Sequence, residues 1–184
     1  GKKFAFDKPM FVHCPNLTDD YRCSIHDQLS TKGMQGCIEY NCFGAGQRSS
    51  QRVLSDADWH KRPDTARNLF HTYFKLKDLH EMMWLLSRLA TLCPDPSLKS
   101  KIEDRVAEID GLGAQSDETI RTLDVSGLYK RDRFWVELVK KAQERYQVRG
   151  GALTTIDEVQ SLSDRLAKDL TEHKNRESYR DRVL

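Results

Sequence analysis

The sequence predicts a mostly α-helical protein: a helical bundle preceded by an irregular, cysteine-rich N-terminal segment that binds metal. Three observations carry that expectation. Apolar residues recur at spacings of three and four from Thr65 to Cys93 and again beyond Ser97, while the alternation of a half-buried strand is almost absent. Four of the five cysteines fall within 29 positions, from Cys14 to Cys42. The chain of 184 residues is also long enough to bury one sizeable core.

The elements follow in order. Residues 1–12 read as an extended lead-in, because Pro9 excludes a continuous helix. Thr18-Asp19-Asp20 offers N-caps for a short helix from Tyr21 to Thr31, with Ile25 and Leu29 on its inner face and Gly33 as its end. The stretch from Cys37 to Cys42 fits strand or turn, and Gly44-Ala45-Gly46 breaks the chain before a polar segment reaching Leu54. Ser55-Asp56 and Pro63-Asp64 read as helix starts.

The run from Thr65 to Cys93 is the strongest helical signal, carrying Leu69, Leu76, Leu79, Met83, Leu86 and Leu89, and Pro94-Asp95-Pro96 stops it. Ser97 is expected to cap a helix with Leu98, Ile102, Val106 and Ile109 on one face, ended by Gly111 and Gly113. A short helix near Asp117–Leu123 and a longer one from Leu128 to Val148 complete the bundle. After a Gly150-Gly151 hinge, Val159, Leu162, Leu166 and Leu170 form the narrow stripe of a last helix. The expected organisation is therefore a metal-binding segment at 1–54, a bundle at 55–149 and a C-terminal helix at 150–184.

Composition narrows the function classes. The net charge of +2 arises from 30 basic and 28 acidic residues, a near-cancellation that argues against a dedicated nucleic-acid binder. No stretch approaches the ~20 apolar residues of a membrane span. The start lacks an apolar run long enough for a signal peptide, so a cytoplasmic location is expected.

The cysteine spacing is Cys14-x8-Cys23-x13-Cys37-x4-Cys42. Four thiolates complete a tetrahedral zinc site or hold one iron–sulfur cluster. The absence of a Cys-x-x-Cys turn, the Cys-x4-Cys step and the glycines after Cys42 favour iron–sulfur slightly over zinc. His13 and His26 stand near enough in sequence to replace a cysteine or to hydrogen-bond a ligand from outside the site. The competing readings are two disulfides, or unrelated buried thiols. Cys93 stands alone and reads as a small inert hydrophobe. His80-Glu81 lacks the second histidine of a zinc-protease motif, since Trp84 occupies that place.

The stretch "CPNLTDDYRCSIHDQL…GCIEYNCFGAGQ" resembles the N-terminal region of certain bacterial pentapeptide-repeat proteins, themselves related to cysteine-cluster proteins described as zinc- or iron-chelating. Leu79-His80-Glu81 with Trp84-Leu85-Leu86 fits the helical segment that follows in those proteins. The chain lacks both the pentapeptide repeat and the adjacent cysteine pair of the chelating family. The resemblance implies Cys14, Cys23, Cys37 and Cys42 as metal ligands and lends no reaction.

The expected function is a metal-binding regulatory or protein-interaction module. The alternatives are an iron–sulfur electron carrier or sensor and, last, a metal-dependent enzyme with an open coordination position. A protein partner is expected, and the C-terminal stripe offers a route to a homo-oligomer.

Overall fold

Helix periodicity, capping and turn chemistry account for most of the architecture of the computed structural model, which describes residues 3–7, 12–53 and 63–148 together with Gln160, Asp164, Ala167 and Lys168. The regular secondary structure of the described residues is helical, apart from one isolated antiparallel bridge between Leu17 and Cys23. The helices are α1 (Gln35–Ile38), α2 (Ala45–Val53), α3 (Pro63–Leu92), α4 (Pro96–Gly113), α5 (Asp117–Thr122), α6 (Val125–Asp132) and α7 (Phe134–Val148). Among the described residues no helix is long and apolar enough to cross a membrane. The chain divides into two units, Gly1–Phe74 and Lys75–Leu184, and the division falls inside α3. The expected boundaries at 54/55 and 149/150 lie outside the described residues, as do Ser55-Asp56, the Gly150-Gly151 hinge and the Val159/Leu162/Leu166/Leu170 stripe.

In the first unit the expected helix over Tyr21–Thr31 is replaced by a loop and a single 3-10 turn, His26–Gln28. The cause is local. Thr18 N–H bonds to the Arg22 carbonyl at 2.9 Å, and Thr18 Oγ1 accepts the Arg22 N–H at 3.2 Å, so the chain folds back on itself. Tyr21 takes a left-handed φ of 61°, which no helix accommodates. Gly33 ends the following turns as its type predicts. Its φ is +66°, and the bonds Met34 N–H to Leu29 O and Gly33 N–H to Ser30 O form a Schellman motif.

The Cys37 stretch lies partly in the four-residue helix α1 rather than in a strand. The Gly-Ala-Gly stretch starts a helix instead of breaking one. Phe43 and Gly44 are both left-handed, at φ 51° and 84°, and redirect the chain straight into α2. Along α2, Ser49 is buried and returns its hydroxyl to the Ala45 carbonyl at 2.8 Å.

The second unit holds the core. Leu79, Met82, Leu86 and Leu89 of α3 meet Ile102 and Ile109 of α4, Val125 and Tyr129 of α6, and Val136 and Val139 of α7. Leu98 and Val106 pack beside the two isoleucines, which realises the predicted α4 stripe. The cap of α4 differs from expectation: Asp95, not Ser97, accepts from the N–H groups of Ser97 and Leu98, with Pro96 opening the helix. The helix runs through Gly111 to Gly113, so only the second glycine stands at its end.

The single helix expected from Leu128 is two. α6 begins early because Asp124 caps it through the Gly127 N–H at 2.9 Å. It ends at Asp132, which is drawn inward by Arg105 of α4, and the chain turns at Arg133 before α7. Farther along, Lys140 bonds Gln160 at 2.8 Å, Arg133 bonds Asp164 at 3.3 Å and Ala167 packs on the core. Those described C-terminal residues therefore lie on their own chain's α7 side.

Candidate metal centre

The described residues between 3 and 53 include few side chains able to drive folding by burial. Among the described residues of that stretch only Met34, Ala45 and Ser49 are buried. Cys14, Cys23, Cys37 and Cys42 are all half-buried, and all are free thiols.

Each cysteine occupies one end of a tight turn. The carbonyl of Cys14 accepts the Leu17 N–H at 2.9 Å, that of Cys23 accepts the His26 N–H at 3.2 Å, and that of Cys42 accepts the Ala45 N–H at 2.9 Å. Cys37 closes a turn from the other side, donating its N–H to the Met34 carbonyl at 2.9 Å. Cys14 and Cys23 belong to one folded-back loop, because the turn at Cys14 leads to Leu17 and Leu17 bridges Cys23. Cys37 and Cys42 flank the link between α1 and α2.

Two asparagines that sequence reading passed over shape these turns. The Asn16 carbonyl receives both the N–H and the hydroxyl of Ser24, at 2.9 and 3.1 Å. Asn41 Oδ1 accepts the Phe43 N–H at 2.8 Å, an Asx turn just before Cys42. For Asn41 the signal was available, since an asparagine side chain forms this bond to the N–H two residues on routinely, whereas the Asn16 bonds use a backbone carbonyl that any residue carries.

The Cys42 sulfur lies against the first turn of α2: a Cβ placed on Gly46 would stand 3.6 Å from its Sγ. His13 and His26 are exposed, and His26 Nδ1 sits 3.2 Å from Asp27 Oδ1. Among the described residues, no group of three or more His, Cys, Asp or Glu side chains is gathered closely enough to hold a metal ion. In this conformation the four thiols share a segment without forming a ready-made coordination shell.

The segment is tied to its own unit at two places. The Gly36 N–H bonds the Lys3 carbonyl at 2.8 Å, with Lys3 also paired to Glu39. The hydroxyls of Tyr40 and Tyr73 hydrogen-bond, joining the stretch after α1 to the first half of α3.

No family model matches the chain, and no solved structure matches it. A Bacillus subtilis (strain 168) protein described as "Uncharacterized protein YybG" is 37% identical over 147 residues, covering 78% of this chain and 52% of the relative. The chain thus spans about half the length of that curated relative.

Proposed function

We propose that this chain is a metal-binding regulatory or protein-interaction module whose ligands are Cys14, Cys23, Cys37 and Cys42. One observation carries the reading: four half-buried free thiols sit at turn ends in a stretch whose described residues bury only Met34, Ala45 and Ser49. So little burial does not offset the entropy of ordering about 50 residues, and metal–thiolate bonds supply the missing cross-link. Binding then includes a local closure that brings the sulfurs together.

The interaction role draws on the surface. Among the described residues, five large hydrophobic side chains are exposed, and Val12, Tyr21, Ile38 and Tyr40 of them lie in this segment. A partner that covers them together would turn these scattered apolar side chains into a contact surface.

Zinc held by four thiolates has no open position and is structural. The placement of Cys42 Sγ beside the start of α2 supports an iron–sulfur carrier or sensor as the second reading, since backbone N–H groups near sulfur tune such clusters. Metal analysis and visible absorption of anaerobically purified protein test both. A colourless protein with stoichiometric zinc selects the structural form, and a brown one bleached by dithionite selects the redox form. A protein that binds neither under reconstitution overturns the proposal.

A further inference from the structure

We propose that residues 3–5 form a clasp that positions Cys37 for metal and slows the metal's release. The inference rests on the metal-binding reading above and adds Phe4 and Gly36 to it as positioning residues.

Cys37 lies in α1, which has only four residues. A helix that short does not hold itself in water, so its geometry comes from what packs on it. Its N-cap residue, Met34, makes no side-chain cap. The Lys3 carbonyl takes that place, accepting the Gly36 N–H at 2.8 Å. The Lys3 ammonium pairs with Glu39. Ala5 lies alongside Gly33, where an added Cβ would stand 3.5 Å from the Ala5 Cβ. Contacts at 33, 36 and 39 therefore bracket Cys37.

Gly36 shows that the seat is specific. It is helical and its φ is not positive, so the backbone conformation does not call for glycine. Alanine is the better helix former at such a position. What glycine supplies is room for the half-buried Phe4. A Cβ at 36 would fall 2.7 Å from both Cε atoms of Phe4 and nearer still to Cζ, closer than real side-chain carbons approach. The ring thus meets α1 tip-on, one residue before the thiol.

Ordering one residue's backbone in advance is worth roughly tenfold in binding. Cys37 held by the clasp offers its sulfur without that cost, and differences of this kind appear mostly in the rate of release.

The test is zinc release from the reduced, zinc-loaded full chain into an excess of a chromogenic pyridylazo chelator. Phe4→Ala and Gly36→Ala are each expected to release zinc about tenfold faster with unchanged zinc stoichiometry. With the ring gone its clash with a methyl group at 36 is gone as well. Gly36→Ala in the Phe4→Ala background is therefore expected to add no further acceleration. In the metal-free chain both variants are expected to speed iodoacetamide modification of Cys37 while Cys23 and Cys93 keep their rates, a local effect that general unfolding does not give. Release as slow as from the unmodified chain in both variants overturns the clasp alone, and so does a full acceleration by Gly36→Ala when the ring is absent. An unmodified chain that takes up no zinc overturns the zinc reading and the clasp with it.

Discussion

Arg105 of α4 grips Asp132 of α6 through two parallel hydrogen bonds, Nε to Oδ1 at 2.9 Å and Nη2 to Oδ2 at 2.8 Å. The side chains are only 12% and 6% exposed, so the pair is largely removed from water. The Asp132 hydrogen bond, and then that to Glu108, hold the guanidinium protonated more firmly than usual despite the opposing effect of burial. Removing Asp132 leaves the guanidinium with only the exposed Glu108 as its partner, and removing Arg105 strands the buried Asp132 carboxylate. Asp132→Ala is therefore expected to cost about 3 kcal/mol in urea unfolding. The double variant Arg105→Met/Asp132→Leu is expected to cost less than the sum of its single changes, because neither charge is left behind. A strictly additive double variant would show that the pair contributes nothing as a pair.

Asp95 stands at another junction, between the end of α3 and the start of α4. Its carboxylate accepts two N–H groups that the helix cannot satisfy itself, at 2.9 and 3.0 Å. Asp95→Ala is expected to lower stability by about 1 kcal/mol, and Asp95→Asn by less, since asparagine still caps. Thermal unfolding followed by far-UV circular dichroism measures both. Ser97→Ala serves as the contrast and is expected to change little.

These two sites mark what the sequence makes legible. Apolar spacing located α3 and the Leu98/Ile102/Val106/Ile109 face of α4, because periodicity directly reports which face leaves water. The cap was misplaced by two residues because Asp95 and Ser97 are both good caps, and only geometry distinguishes them. The turn at Arg133 was hidden because its cause is a partner 27 residues away, Arg105 on another helix. The loop at Tyr21 was hidden for a related reason: Thr18 spent its hydroxyl on Arg22 rather than on a helix start. At the candidate centre, residue types and spacing were legible, whereas the turn that each cysteine closes depends on backbone bonds to Leu17, His26, Met34 and Ala45.

The lead-in carries a pH-sensitive contact. Hydrogen bonds from Lys3 and then from Gln35 hold the Glu39 carboxyl below its usual range. A depressed carboxylate contributes its attraction above the unfolded pKa and loses it as pH falls through the folded one. The Lys3–Glu39 contact is therefore intact at neutral pH and released in acid. Amide exchange at Gly36, whose N–H bonds the Lys3 carbonyl, is expected to gain an additional acceleration at low pH that Glu39→Gln abolishes. Identical pH profiles for the two proteins would separate the Gly36 bond from the ion pair.

Cys93 lies apart from the clustered cysteines, just beyond the end of α3. Burial pushes its thiol up, against a weaker opposing effect of an Asp95 backbone hydrogen bond, and the Sγ–H itself donates to the Asp95 carbonyl at 3.5 Å. A folded-state value raised above the unfolded one means stability that is full below the ordinary thiol range and lost as pH rises through the folded value. Thiolate is the reactive form, so native Cys93 is expected to alkylate more slowly at pH 8 than the same residue in urea. Peptide mapping after iodoacetamide treatment reads this rate. Equal rates in the folded and unfolded chain would show that its half-buried position gives no protection.

The same mapping links the thiols to metal. On loading with zinc, or on cluster assembly, Cys14, Cys23, Cys37 and Cys42 are expected to become resistant together, while Cys93 keeps its rate. Replacing any one of the four by serine removes a thiolate that neutral hydroxyl chemistry does not replace, and bound metal is expected to fall sharply. The cross-link is then lost from a stretch that buries almost nothing else, so proteolysis within residues 11–46 accelerates. The helical signal persists, because Leu79, Ile102, Tyr129 and Val139 anchor the core of the second unit. Cys93→Ser retains the metal. Full metal content in all four clustered single variants would remove the cysteines from the site and leave a helical unit with an unexplained thiol-rich lead.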